Sequence, residues 1–328
     1  MPGTVLLVGG TGRMSAGTTR LAVERGLDVH VLVRGGTTAR PVPPGARVLH
    51  GDAHDPASVR AVLGGRDYDV VVQWVGYTAE QAQADLALFE GRTGHYVYIS
   101  SASAYQTPPL RLPIVESTPL RNPFLQYSRD KIAAEEVLLG AYRDRGFPVT
   151  VVRPSHTYDR TTTPFNGGWT IVERMLQGRE VVVHGDGTSL WTLTHQTDVA
   201  RGLVPLLGDL RSVGQAVHIT GDDVLTWDAI AHELARAAGV QARIVHVPSD
   251  VIAAHDPLWG GALLGDKAHS LVFDTSLLRR LVPGFTTTVR FDEGAREIVD
   301  WHLADDSRRV VDREMDALMD RLVERFRA

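Results

Sequence analysis

The sequence predicts an α/β protein built on a doubly wound parallel sheet, and three observations carry that prediction. Short apolar runs of strand length alternate with helix-forming stretches throughout the first half of the chain. The first of these runs feeds a glycine-rich turn that opens a helix. Finally, the polar, glycine-rich and serine-rich segments gather where the strands end, and in open parallel sheets ligands bind beyond the C-terminal strand ends.

Thr4–Val8 is a continuous apolar run closed by glycine, which suits a strand buried on both faces. Gly9-Gly10-Thr11-Gly12-Arg13-Met14-Ser15 follows, and then a helical stretch to Gly26. Such a turn lets a pyrophosphate approach the backbone at a helix N-terminus. Serine stands at Ser15, where a third glycine would allow close helix–strand packing and a small residue can substitute. Val29–Val33 is the second strand and ends at Arg34. An acidic residue there takes the ribose 2′-hydroxyl of NAD, whereas arginine accommodates a 2′-phosphate, so Arg34 leans towards NADP; covering the adenine with the guanidinium plane is its other reading. Arg47–His50 is the third strand, ending in Gly51-Asp52, and Asp52 either accepts from the adenine amino group or caps the helix that begins near Pro56. Asp69–Trp74, Tyr96–Ser100 and Val149–Val152 complete the strands of this half, with helices over Ala79–Glu90 and Gln126–Arg145.

Composition narrows the field. Hydrophobic content of 43% and charged content of 22% belong to an ordinary soluble globular protein. A net charge of -5 offers no basic footprint for nucleic acid. With no cysteine, disulfides, thiol catalysis and cysteine-ligated zinc are excluded, and the histidines show no metal spacing, so no metal is expected. The N-terminus enters its first strand with no signal-peptide pattern, and no apolar run reaches the roughly 18–20 residues that span a bilayer. The expectation is a cytoplasmic enzyme.

Tyr127-Ser128-Arg129-Asp130-Lys131 lies at the start of the long Gln126–Arg145 helix. Residues four apart share a helix face, which would put the Lys131 ammonium near the Tyr127 phenol. A phenol titrates near ~10, and a neighbouring cation favours the phenolate, so the pair suits acid/base work. The chain has only two lysines, Lys131 and Lys267, against an abundance of arginine.

The glycine turn at Gly9–Ser15, the strand end Ser100-Ser101-Ala102-Ser103-Ala104-Tyr105 and Tyr127-x-x-x-Lys131 together resemble an extended short-chain dehydrogenase/reductase. More narrowly, they resemble the NAD-dependent epimerase/dehydratase family. Val152-Arg153-Pro154-Ser155-His156-Thr157-Tyr158, Gly185-Asp186-Gly187-Thr188 and Thr197-Asp198-Val199-Ala200 extend the likeness over about the first 240 residues. The resemblance implies a Rossmann-type fold with NAD(P) as cofactor and a smaller α/β substrate-binding lobe. Residues 1–155 are then the cofactor domain and 156–328 the lobe, interleaved with it rather than linked by a spacer. It implies a catalytic set of Ser101, Tyr127 and Lys131, in which Tyr127 moves the hydroxyl proton while Lys131 holds the nicotinamide ribose and lowers the tyrosine pKa. Gly9, Gly12, Arg13, Met14, Arg34, Asp52, Trp74, Ser100, Lys131 and Pro154 are placed at the cofactor, and Ser103, Tyr77, His156 and Trp191 at the substrate. A homodimer through the 79–90 and 126–145 helices is also implied.

The departures are informative. Relatives that make 4-keto-6-deoxy sugars follow the catalytic hydroxyl with Asp-Glu, where this chain has Ala102-Ser103. Leu190-Trp191 stands where a phosphate-binding arginine is frequent, and His156 where asparagine is common. A diphosphate-free substrate such as a nucleoside, glycoside or other polyol gains weight.

In the second half, Thr161–Gly168 reads as a loop able to fold over a ligand. Trp169–Gln177, Gln196–Leu207 and Thr226–Ala238 read as helices; Glu180–His184, Ala216–Thr220 and Arg243–Val247 read as strands. Trp191–His195 alternates as a strand, with Trp191 either stacking on a ligand or packing in the core. The stripe from Val310 to Phe326 has helical period. The leading expectation is an epimerase or dehydratase that acts by transient hydride transfer at a secondary alcohol of a sugar-like small molecule. The alternatives are an NADP-dependent ketoreductase or dehydrogenase with net cofactor turnover, and a non-catalytic nucleotide-sensing or RNA-associated member of the fold.

Overall fold

The computed structural model describes residues 3–35 and 39–327. Its first half alternates strand and helix in the order β1 (Thr4–Val8), α1 (Ser15–Glu24), β2 (Asp28–Val33), β3 (Arg47–His50), α2 (Pro56–Leu63), β4 (Tyr68–Gln73), α3 (Ala79–Phe89), β5 (Thr93–Ile99), α4 (Gln126–Arg145) and β6 (Val149–Pro154). The second half continues with β7 (His156–Tyr158), α5 (Thr170–Leu176), β8 (Val181–His184), β9 (Leu190–His195), α6 (Gln196–Leu203), β10 (Ala216–Ile219), β11 (Val224–Thr226), α7 (Trp227–Ala237) and β12 (Ile244–Val247). Five helices close it: α8 (Ser249–His255), α9 (Pro257–Ala262), α10 (Ser276–Leu281), α11 (Phe291–Leu303) and α12 (Arg313–Phe326).

The central sheet is parallel and runs β10-β6-β5-β4-β1-β2-β3. The strand order reverses at β1, which opens a crevice beyond its C-terminal end. Alternate side chains of each strand serve opposite faces. Val5, Leu7, Val29, Val31, Val70 and Val72 pack beneath α1, α6 and α10, while Leu6, Val8, Leu32, Val71 and Tyr96 meet α2, α3 and α4. This is a doubly wound Rossmann-type sheet. Its seventh strand comes from the second half of the chain, and α6 packs on α1 where Gly17 leaves room: a Cβ there would lie 2.8 Å from the Gln196 carbonyl oxygen.

The remaining strands form two small sheets, β11-β9-β7 and β12-β8. Around them α5, α7 and α11 bury Trp169, Trp191, Trp227 and Phe291 in a second core, and α8, α9 and α12 build a third. Among the described residues no helix is long and apolar enough to cross a membrane.

Several sequence expectations change in detail. The helix expected over Gln196–Leu207 stops at Leu203 and tightens into a 3₁₀ turn over Val204–Leu206, because Pro205 has no N–H to continue the ladder. The terminal helix starts at Arg313 under an Asp312 cap, so Val310, 69% exposed, falls outside its apolar stripe. Thr226 does cap its helix, accepting from the Ala229 N–H at 3.1 Å. Asp52 caps nothing: Asp55 caps α2, and the Asp52 carboxylate accepts from the His54 N–H. The Thr161–Gly168 loop is tied down by Asp159, which accepts from Arg40, Thr161 and Thr162.

Helix α4 is fixed to the sheet by a buried ion pair. Arg153 on β6 donates from Nε and Nη2 to the two Glu135 carboxylate oxygens at 3.0 and 2.5 Å. The two side chains are 4% and 1% exposed. Ser100 donates to the same carboxylate, and Arg153 also donates to the Tyr105 hydroxyl at 2.9 Å. Removing one partner of such a pair strands a charge in the interior. Arg153→Ala is therefore expected to cost about 3–5 kcal/mol, read as a lower urea midpoint at unchanged m-value.

Candidate active site

The glycine turn is built by steric necessity. Gly9 has φ +89°, and a Cβ on it would lie 2.6 Å from Val75; only glycine takes both conditions easily. Ser15 closes the turn: its hydroxyl donates to the Gly9 carbonyl at 2.7 Å and accepts from the Gly12 N–H at 2.8 Å. The serine in the third position thus does more than leave room for packing. Whereas α2, α3, α7 and α12 carry side-chain caps, α1 begins at Met14 without one. First-turn amides left uncapped at a parallel strand's end suit an anionic group.

Beyond the ends of β5 and β6 lies a cavity of about 310 Å³. The chain leaves β5 at Ser100 and turns through a short 3₁₀ segment, with the Ser101 hydroxyl accepting from the Ser103 N–H at 3.1 Å. Ser101 and Ser103 hydroxyls lie 2.9 Å apart, and Ser128 of α4 donates to Ser103 at 2.7 Å. Ser103, 7% exposed, is held in this chain, while Ser101 keeps partial exposure at the cavity. Tyr127 enters from the first turn of α4 and is 40% exposed. Burial of its surroundings pushes the phenol up to about 12, with the Ser101 hydroxyl acting in the opposite direction.

Lys131 stands behind Tyr127 and is 1% exposed. Its ammonium donates to the carbonyls of Gly76 and Ile99 at 2.6 and 2.7 Å, and lies 4.7, 4.9 and 5.8 Å from the ring centres of Tyr98, Tyr77 and Tyr127. Desolvation lowers it to about 7, against the charge of Glu135 one turn on. Burial lowers Lys131 and raises Tyr127, so desolvation acts on both groups against the activation expected from their pairing.

Of the sequence-predicted residues, the cavity brings together Arg13, Met14, Ser100, Ser101, Ser103, Tyr127, Pro154, His156 and Trp191. Tyr77 stands outside its wall, 38% exposed and beside Tyr127 at 6.2 Å between ring centres. Trp74 is packed in the core under the sheet, 7% exposed. Arg34 is exposed at the end of β2, and Asp52 lies at the end of β3, both away from this cavity. His156 Nδ1 accepts from the Trp191 indole N–H at 3.0 Å, which leaves the ring's own proton on Nε2. Burial, then the charges of Lys267 and Arg13, hold that ring neutral. Trp191 is 2% exposed and packs on Trp227, so core packing accounts for most of its surface.

Sequence reading missed Asp266, Lys267, Leu271 and Phe273, which come from the second half to form the opposite wall. The scarcity of lysine was a signal for Lys267. Ser128 and Glu135 were also missed, though both lie on the Tyr127–Lys131 helix.

A doubly wound sheet with an uncapped glycine turn and a Ser/Tyr cavity beyond its strand ends defines a dinucleotide-dependent enzyme class. The family model of the NAD dependent epimerase/dehydratase family matches residues 5–220. The chain belongs to that family, and is an epimerase/dehydratase-type extended short-chain dehydrogenase/reductase. It is 27% identical over 288 residues to 2'-dehydrokanamycin reductase of Streptomyces kanamyceticus, covering 86% of this chain and 79% of that one. It is 26% identical over 255 residues to the chloroplast stem-loop binding protein of 41 kDa b of Arabidopsis thaliana, covering 74% of this chain and 65% of that one. A crystal structure of dTDP-glucose 4,6-dehydratase from Bacillus anthracis in complex with NAD superposes with a TM-score of 0.75 at 18% identity, covering 93% and 98% of the two chains. The residues present fit such a cofactor. The uncapped α1 amides with Gly9 and Gly12 would take its pyrophosphate, and Tyr127 and Pro154, which line the cavity, its nicotinamide end, with Lys131 buried behind them on the Gly76 and Ile99 carbonyls. Such a cofactor would supply hydride-transfer chemistry there.

The Lys131 environment has a consequence for stability. Between about pH 7, its folded value, and the ordinary lysine value of 10.5, the unfolded chain holds a proton that the folded chain does not. Stability contributed through this group therefore rises with pH across that window. Urea titrations of cofactor-free protein from pH 7 to 10 should show a shallower pH dependence for Lys131→Met than for wild type.

Proposed function

We propose that this chain transfers a hydride, with NAD(P), to or from a secondary alcohol carbon of a sugar-like small molecule. One observation carries the reading: Ser101 and Tyr127 share a cavity at the strand ends beside the glycine turn, with Lys131 directly behind them. In the reducing direction Tyr127 gives its phenolic proton to the substrate oxygen as the carbon accepts hydride, and Ser101 donates a hydrogen bond to that oxygen. The O–H bond of Tyr127 breaks, the new O–H and C–H bonds form, and the carbonyl becomes an alcohol. Oxidation is the reverse. A phenol kept protonated by burial suits the donor role.

Two net outcomes share this step. Regenerating the cofactor within each cycle gives epimerisation or dehydration; consuming it gives a ketoreductase. A specific observation speaks against dehydration, though not against epimerisation. The Asp-Glu pair is replaced by Ala102 and Ser103, both buried, with Ser103 locked between Ser101 and Ser128. The likeness to a reductase over most of the chain supports the second outcome. Arg34 at the end of β2 supports NADP as the preferred form. An RNA-associated role is disfavoured by the net charge of -5 and by the complete Ser101, Tyr127 and Lys131 set.

Tyr127→Phe should lower turnover by about 10²–10⁴-fold, the usual worth of a positioned acid/base, with dinucleotide affinity kept; an active variant would sink the mechanism. Denaturing the pure protein and identifying the released dinucleotide separates the two outcomes. Release of NAD in stoichiometric amount supports the regenerated cycle, whereas none, with NADPH consumed against a panel of keto-glycosides, supports the reductase.

A further inference from the structure

The wall facing Tyr127 carries the most distinctive charges in the cavity. Asp266 and Lys267 lie on a single π-helical turn, Leu263–Lys267, and both line the space. This turn is rigidly fixed to the opposite wall. Asn122, 3% exposed, donates from one amide nitrogen to the Ser103 carbonyl at 2.9 Å and to the Gly265 carbonyl at 2.6 Å. A Cβ on Gly265 would lie 2.9 Å from Leu125, so the approach of the two walls depends on glycine there. On the other side the Lys267 carbonyl accepts from His184 and Ser189 at 2.9 and 3.1 Å.

Held this firmly, the two side chains nevertheless leave polar valences open. Among the described residues the Asp266 carboxylate makes no hydrogen bond and no ion pair. The Lys267 ammonium donates to the Asn166 amide oxygen at 3.0 Å, which uses one of its three N–H groups. Asp266 is half-buried at the cavity, so its unpartnered carboxylate stays open to hydroxyl donors from a ligand. Burial raises Asp266 and lowers Lys267, each opposed by the other's charge. Arginine is the ordinary cation of this chain, since only two of its 34 basic residues are lysines, yet lysine stands here.

We propose that Asp266 and Lys267 form a diol clamp that selects an unphosphorylated sugar ring: the carboxylate accepts from adjacent ring hydroxyls while the ammonium donates to their oxygens. This rests on the sugar-oxidoreductase reading of the same cavity and names its substrate class. A carboxylate offers two acceptor oxygens side by side, which matches vicinal hydroxyl donors, and a diol supplies the acceptors that the ammonium needs. A diphosphate on that wall would set its charge against the Asp266 carboxylate, which offers it no hydrogen bond, although Arg13 and Lys267 line the same cavity. Both residues are specificity-determining on this view, and proton transfer stays with Tyr127.

The test is saturation-transfer NMR on the full chain in the presence of NADP⁺, with three kinds of probe. These are the methyl glycosides of glucose, galactose and mannose, methyl 2-amino-2-deoxyglucoside, and UDP-glucose. The expected result is binding of at least one neutral glycoside, weakened tenfold or more by Asp266→Asn and by Lys267→Met, with NADP⁺ affinity unchanged in both variants. The clamp is overturned if no neutral glycoside binds, if UDP-glucose binds more tightly than every free glycoside, or if neither substitution weakens binding. A tenfold preference for the amino sugar also overturns it, since the carboxylate would then be an ammonium site. Failure of the underlying reading looks different: glycoside binding would remain sensitive to Asp266→Asn while no hydride transfer was found. Conversely, turnover that needs Tyr127 but has a KM indifferent to both substitutions removes the clamp alone.

Discussion

The Glu135–Arg153 pair is the constraint on which the site's geometry depends. Tyr127, Ser128, Lys131 and Glu135 all project from α4, so wherever Glu135 is held the other three follow. Arg153 holds it by a two-pronged contact to the end of β6, and Ser100 adds a third bond from the end of β5. An ion pair this deep need not add net stability, because desolvating both charges offsets much of their attraction. What it supplies is registry, since no other residue along the helix offers Arg153 a comparable partner at that depth. Lys131 reinforces it by binding the Gly76 and Ile99 carbonyls, which belong to the ends of two neighbouring strands.

The electrostatics of the cavity follow from that tight seating. A cation one helical turn from a phenol acidifies it in an exposed setting, but here Lys131 is fully buried and the surroundings of Tyr127 are largely so. Desolvation then outweighs pairwise attraction, lowering Lys131 and raising Tyr127 together. The same effect keeps His156 neutral, and its tautomer follows from the Trp191 hydrogen bond. The cavity therefore sets hydroxyl groups on its Ser/Tyr wall against the Asp266 and Lys267 side chains on the other, where burial likewise raises the carboxyl and lowers the amine.

Much of the fold was legible in the sequence because it rests on local signals. The continuous apolar runs from Thr4 to Val152 gave the strands, and the glycine turn could be placed since Gly9 must take a positive φ. Boundaries slipped where a backbone effect beat periodicity, as at Pro205. The Ser101, Tyr127 and Lys131 set was readable from spacing and resemblance. Asp266 and Lys267 were not, for their segment has no periodicity of its own and is held at the cavity by Asn122, His184 and Ser189, all far away in sequence. Trp74 and Asp52 were placed from their strand-end positions; in the structure Trp74 packs in the core and Asp52 forms an Asx turn with the His54 N–H.

The seventh strand of the central sheet has a bearing on how the chain comes to be folded. Residues 216–219 pair with β6 only after some sixty intervening residues have been laid out, and α6 must reach α1 from nearly the far end of the family-matched region. Pairing across such separations is entropically costly before it is rewarded. During synthesis the first six strands would leave the ribosome with the free edge of β6 open and the face under α1 uncovered. The interleaving that places the second half against the cofactor side thus makes assembly of the sheet wait on the appearance of β10.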